Sequence, residues 1–211
     1  DIKKQYCGVI GLRKLLSIEE NTPIQEVIDT GIVPTLIQFV KTSSELRIQA
    51  EAAWCLANLC AGTEEQTLEV VNKGGISCFN SALESSDDEA IGCGLCGLAN
   101  IAATSPELGK LLMQSRFIEA ILKIMDKEAR LPIKLRGVRA LGTLCRTQKL
   151  FDQDISRINA LMCGYLKNEV HFELVINAAW VLSQTLTPKK RIDEVLSYDI
   201  GCCVVYLLNS P

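Results

Sequence analysis

The chain has 211 residues, 48% hydrophobic but only 5% aromatic, with a formal net charge of −3. That is ample apolar side chain for a continuous core of aliphatic and small residues, which suits closely packed helices better than a β-sandwich. The acidic balance argues against direct nucleic-acid binding, which needs a basic surface, and no run approaches the roughly 18 unbroken apolar residues of a membrane span.

In chain order, Asp1-Ile2-Lys3-Lys4 is neither a signal nor a transit peptide and reads as a cut made inside a longer chain. A turn at Gly31 precedes an apolar helix over Val33 to Val40. A longer helix then carries Leu46, Ala50, Ala53, Leu56 and Cys60 at helical spacing. Ala61-Gly62-Thr63 links it to a short helix, Gln66 to Asn72, which closes at Gly74. The charged link Ser85-Ser86-Asp87-Asp88 offers Ser or Asp to cap the next long helix. Looser turns fall at Ser115 and Asp199, with an apolar helix over Ile118 to Met125 after the first. Thr187-Pro188-Lys189 ends the last long helix.

The long helices repeat one another. Ala52-Ala53-Trp54-Cys55-Leu56-Ala57-Asn58 aligns with Gly94-Leu95-Cys96-Gly97-Leu98-Ala99-Asn100 and with Ala178-Ala179-Trp180-Val181-Leu182-Ser183-Gln184. Val138-Arg139-Ala140-Leu141-Gly142-Thr143-Leu144 is a further copy. The positions equivalent to Trp54 are Leu12, Cys96, Arg139 and Trp180, spaced 41 to 43 residues apart. That period fits three-helix repeats, which must stack because one unit cannot bury its own apolar faces. The expected organisation is a single solenoid over 1–211. Its periods are the end of a first repeat over 1–19, then 20–62, 63–104, 105–147, 148–187, and the start of a sixth over 188–211.

Ten cysteines do not imply disulfides. Cys55, Cys60, Cys93, Cys96 and Cys145 lie in apolar helical stretches, where a reduced thiol serves as a small packed hydrophobe. Reduced thiols place the chain in cytoplasm or nucleus. Cys93-x-x-Cys96 has no second pair at finger spacing and the one histidine, His171, is remote, so no metal or cofactor is expected. Without a phosphate-binding glycine loop, a nucleophile elbow or clustered His and carboxylates, the chain is not expected to be an enzyme.

On these residues the sequence resembles the armadillo repeats of the importin-α family. The stretch Ile48-Gln49-Ala50-Glu51-Ala52-Ala53-Trp54-Cys55-Leu56-Ala57-Asn58, with Gly62 and Glu65-Gln66-Thr67, carries the resemblance most strongly. Arg13-Lys14-Leu15-Leu16-Ser17 and Pro23-Ile24-Gln25-Glu26-Val27-Ile28 are similar to the family's first repeat, and Leu144-Cys145-Arg146 to the end of its fourth. The resemblance implies an all-α, right-handed superhelical armadillo solenoid with three helices per repeat. It also implies an adaptor for nuclear import that holds an extended basic cargo peptide in a concave groove, and an importin-β-binding arm that would precede this segment.

In that family the third helices line the groove through W-x-x-x-N. Trp and Asn four apart project from one helix face. The amide can bond peptide N–H and C=O, while the rings flank lysine or arginine stems with a cation–π contribution of roughly 0.5–2 kcal/mol each. Carried over, the pattern gives Trp54, Asn58, Gly62, Thr67, Asn100, Trp180 and Gln184 as peptide-binding residues. It is altered at Cys96 and Arg139, where the family has aromatics, at Thr104, where it has an acid, and at Thr143. Arg139 would repel a lysine-rich peptide, so basic signals should bind weakly or in altered register. The same departures leave open a diverged armadillo scaffold with a non-classical partner.

Overall fold

A computed structural model describes residues 1–125, 129–168, 171–186, 189–198 and 201. Among the described residues there are thirteen helices and no strand. They fall into two compact units, Asp1–Phe117 and Ile118–Pro211.

The first unit opens with α1 (Ile2–Leu15), whose first turn is capped by the Asp1 carboxylate accepting from Lys3 N. Two triplets follow. The first is α2 (Ile24–Asp29), α3 (Val33–Thr42) and α4 (Leu46–Leu59); the second is α5 (Glu64–Asn72), α6 (Gly75–Leu83) and α7 (Asp88–Thr104). Between first and second helices the chain turns through left-handed residues, Gly31 at φ 74° and Gly74 at φ 95°, which glycine adopts without a Cβ penalty. α8 (Pro106–Gln114) starts at the Ser105 cap, and α9 (Phe117–Met125) begins at the unit's end.

The start of α5 lies two residues before the expected Gln66. Thr63 accepts from Gln66 N while the Gln66 side chain accepts from Thr63 N, a capping box that pulls Glu64 and Glu65 into the helix. Asp87 caps α7 as anticipated, by accepting from Ala90 N at 3.0 Å. α4 has no such cap, because Glu45 occupies the position and makes no side-chain cap bond.

α1, α4 and α7 pack side by side, with α3 behind α4 and α6 behind α7. Small residues permit this. Ala50, Ala52, Ala53 and Ala57 of α4 are buried, and Gly97 of α7 meets the Phe79 ring of α6 where a Cβ would overlap it.

The second unit contains α10 (Leu131–Thr147), α11 (Asp152–Asn168), α12 (Phe172–Thr185) and α13 (Lys189–Ser197). α12 packs on α10 and α11. One local departure from the expected punctuation occurs here. A three-helix period over 148–187 implies a short helix and a turn after residue 148; α11 instead runs unbroken for 17 residues. The equivalent turn in the preceding period has Arg116 at φ 57°. One period later the chain has Ile158 and Asn159, both fully buried in the helix, with Asn159 Oδ1 accepting from Thr185 Oγ1 of α12. The turns expected at Asp199 and at Thr187-Pro188 lie outside the described residues.

Candidate peptide-binding face

From Ala50 onward α4 is buried except for a stripe at helical spacing: Glu51, Trp54 and Asn58. On the neighbouring α7 the residues left accessible beyond the first turn include Cys96, Asn100, Ala103 and Thr104. Because α4 and α7 pack directly, Trp54, Asn58, Cys96, Asn100 and Thr104 come together in the first unit, with Gly62 beside them in the link after α4 and Thr67 buried behind on α5. Arg139, Thr143, Trp180 and Gln184 come together in the second, on α10 and α12.

Both asparagines are already engaged inside the fold. Asn58 Nδ2 donates to Leu16 O at 3.1 Å and to Ser17 Oγ at 3.2 Å. Asn100 Nδ2 donates to Ala57 O at 3.1 Å. The two carbonyl acceptors, Leu16 O and Ala57 O, lie at the C-terminal end of the preceding third helix, where carbonyls lack intrahelical N–H partners. Each amide therefore ties one third helix to the next and keeps its Oδ1 to accept from a ligand N–H.

Trp54 is 37% exposed, and one ring face is taken. The Arg13 guanidinium lies 5.0 Å above the ring centroid, and Arg13 Nε donates to Glu51 Oε2 at 2.8 Å. Sequence reasoning missed Arg13 and Glu51 as part of this site. Glu51 was accessible to it, being three residues before Trp54 on the same stripe.

A cleft of about 260 Å³ lies between the C-terminal ends of α4 and α7, lined by Cys60, Ala61, Gly62, Asn100, Ala103 and Thr104. Every lining side chain is uncharged. Gly62 is held by the capping box, since a Cβ there would run into the Gln66 amide. Thr67 is fully buried behind the face; its hydroxyl donates to Cys60 O, and the Thr104 hydroxyl, which donates to Asn100 O at 2.8 Å, lies 3.5 Å from Thr67 Oγ1. Burial raises the Cys60 thiol well above the ordinary range and keeps it protonated. Cys96, expected to be packed, is exposed, because its position on α7 falls on the accessible stripe; Cys93, one turn earlier, is buried.

In the second unit the six-membered ring of Trp180 approaches Gly142 of α10 so closely that a Cβ there would overlap it. Arg139 is paired, its Nη2 donating to Glu173 Oε1 at 2.9 Å, with both side chains well exposed. Gln184 Nε2 donates to Ser183 Oγ, which itself donates to Trp180 O. Thr143 contributes its carbonyl to Thr147. A cleft at the place equivalent to the first is lined by Cys145, Gln148, Lys149, Asp152, Gln184 and Thr185, so here both charge signs are present. Among the described residues no group of His, Cys, Asp and Glu could hold a metal ion, and no helix is long and apolar enough to cross a membrane.

Comparison with known proteins fits this arrangement. The model of the armadillo/beta-catenin-like repeat matches residues 20–61. Importin subunit alpha-1b of Oryza sativa subsp. japonica is 34% identical over 100% of this chain and 40% of its own length. Importin subunit alpha-2 of Arabidopsis thaliana is 34% identical over 87% of this chain and 34% of its own length, and importin subunit alpha-B of Dictyostelium discoideum 33% over 94% and 39%. The chain thus spans about 40% of the length of the curated relatives it matches. A designed armadillo repeat protein superposes with a TM-score of 0.83 at 20% identity, covering 100% of this chain and 88% of its own. Another, in complex with the peptide (KR)4, superposes at 0.83 with 20% identity over 99% and 87%. The chain thus has the armadillo-repeat fold, with residues 20–61 matching the repeat's model and importin α subunits among its sequence relatives.

Proposed function

We propose that this chain is the peptide-holding segment of an importin-α-like nuclear transport adaptor, one armadillo array over residues 1–211 that works between cytoplasm and nucleus. An extended cargo peptide lies along the third helices, with Trp54, Asn58, Asn100, Trp180 and Gln184 as its contacts, and Gly62 and Thr67 shaping the cleft beside them. Importin-β would engage a segment outside this chain. The observation that carries the reading is the alignment of a half-exposed Trp54 with two ordered amides on adjacent helices, each keeping an oxygen to receive a peptide N–H. The relatives' names and the peptide held by a designed neighbour support it.

A second reading, a diverged scaffold for a less basic partner, is favoured by the Arg139–Glu173 ion pair, the exposed Cys96 and the uncharged cleft at Thr104. A pull-down with the full-length protein tests the first reading. Trp54→Ala with Asn58→Ala should strip most bound proteins, and an unchanged set would refute the third-helix face as the working surface. Fluorescence polarisation with a lysine-rich signal separates the two. Weak binding beside tight binding of the natural cargo fits the second reading, whereas sub-micromolar affinity for the signal would exclude it.

A further inference from the structure

We infer that Arg13 is a specificity-determining residue: it occupies the cation seat of Trp54, so this end of the face selects against a lysine or arginine and for an uncharged side chain. The inference rests on the peptide-holding reading and deepens it.

Three contacts carry the argument. The Arg13 guanidinium stands 5.0 Å over the Trp54 ring, inside the range at which a cation is attracted to the ring's negative face. The same guanidinium is fixed from behind by Glu51, at 2.8 Å. Both side chains are only about one-fifth exposed, at 22% and 20%, so the pair is shielded from bulk water and held in place. Glu51 and Trp54 belong to one stripe of α4, whereas Arg13 comes from α1, so helix packing rather than local chain geometry delivers the cation.

A ligand cation approaching this ring face meets two obstacles. The aromatic surface is covered, and the carboxylate that would attract an ammonium or guanidinium is neutralised. To be seated there the ligand must evict Arg13 from Glu51 or sit beside a like charge, and either outcome disfavours it. An uncharged side chain suffers neither penalty and can pack on the exposed part of the ring.

The test is a gain of binding on deleting a protein cation. Fluorescein-labelled octapeptide of alternating Lys and Arg is titrated into wild type, Arg13→Gln, Arg13→Met, Lys14→Gln and Arg13→Gln with Trp54→Ala. Thermal melts establish that each variant is folded. Arg13→Gln and Arg13→Met should bind the basic peptide at least tenfold more tightly than wild type, because the ring face opens and Glu51 loses its partner. Lys14→Gln removes the same charge from an exposed neighbouring position and should change affinity by less than twofold. Adding Trp54→Ala should erase most of the gain. Unchanged or weaker binding by the Arg13 variants overturns the inference alone, as does an equal gain in Lys14→Gln, which would assign the effect to net charge. Absence of binding by every protein overturns the peptide-holding reading and the inference with it.

Discussion

The indole of Trp180 on α12 lies so close to Gly142 of α10 that a methyl group at Gly142 would overlap its six-membered ring. Two effects of opposite sign therefore compete in Gly142→Ala. Replacing a mid-helix glycine by alanine ordinarily stabilises by about 0.5–1 kcal/mol. Overpacking against a ring seated on buried backbone ordinarily costs about 1–3 kcal/mol, and the closeness of this contact makes the second effect win. We predict a net loss of about 1–2 kcal/mol in urea denaturation and altered Trp180 emission in a Trp54→Phe background. Gly11, inside α1 with nothing within 4 Å of its would-be Cβ, is the control. Gly11→Ala should gain about 0.5–1 kcal/mol. Equal effects at the two sites would show that Trp180 does not rest on Gly142.

The asparagines should prove structural as well as ligand-facing. Asn58→Ala removes both donors to the α1 terminus, and Asn100→Ala removes the donor to Ala57. Each should cost about 0.5–1.5 kcal/mol. The double variant should depart from additivity, since Asn58 and Ala57 are chain neighbours. Asn58→Asp should destabilise more than Asn58→Ala, because it presents a carboxylate to the Leu16 carbonyl. Chemical denaturation of the four proteins decides the point; an Asn58→Ala as stable as wild type would show that the amide does not hold the helices.

The repeat, the order of the helices and the stripe of Trp54 and Asn58 were legible because they depend on local spacing. Ala50, Ala53 and Ala57 mark the buried face, and Trp54 must then project from the other. The beginning of α5 was also written in Thr63-x-x-Gln66, although reading apolar spacing alone placed it two residues late. What the spacing could not give is contact between helices. Arg13 and Trp54 are 41 residues apart, and only the packing of α1 on α4 shows which arginine reaches the ring. The same holds for Glu173 with Arg139 and Gly142 with Trp180. The continuous α11 was hidden for a different reason, since a period inferred from its neighbours supplied a turn where Asn159 is instead buried within the helix and accepts from Thr185 of α12.

The cysteines divide by burial, and their chemistry should follow. Burial pushes the Cys55 and Cys78 thiols up to about 12 and Cys163 up to about 11, from an ordinary value near 9. Iodoacetamide at pH 8 should therefore label the exposed Cys7 and Cys96 in native protein and spare Cys55, Cys60, Cys78 and Cys163 until unfolding. The linkage has a definite sign. Between about pH 9 and pH 11–12 the unfolded thiols lose protons that the folded ones keep, so the unfolded state binds fewer protons and stability falls as pH rises. Their contribution is fully present below pH 9. Denaturation midpoints should decline from about pH 9 upward, and the decline should shrink in Cys55→Ala with Cys78→Ala; a flat profile in wild type would contradict this.

The cleft between α4 and α7 offers a lysine only neutral acceptors, because Thr104 stands among Cys60, Ala61, Gly62, Asn100 and Ala103 with no carboxylate in the lining. Thr104→Asp places one there. The position is half-exposed, so the new charge retains water and need not be paid for by full desolvation. The substitution gives up the hydroxyl bond to Asn100 O, a modest loss at a helix end. In exchange, a charge-assisted hydrogen bond to a ligand ammonium should tighten a lysine-rich peptide by about tenfold, or about 1.4 kcal/mol. The gain should be confined to peptides with lysine at the residue entering the cleft and should shrink as salt is raised, because the pair is only partly shielded. Polarisation titrations of a lysine series against glutamine replacements at each position locate that residue. A uniform gain at every position would mean that the added charge acts at long range and that the cleft is not a side-chain seat.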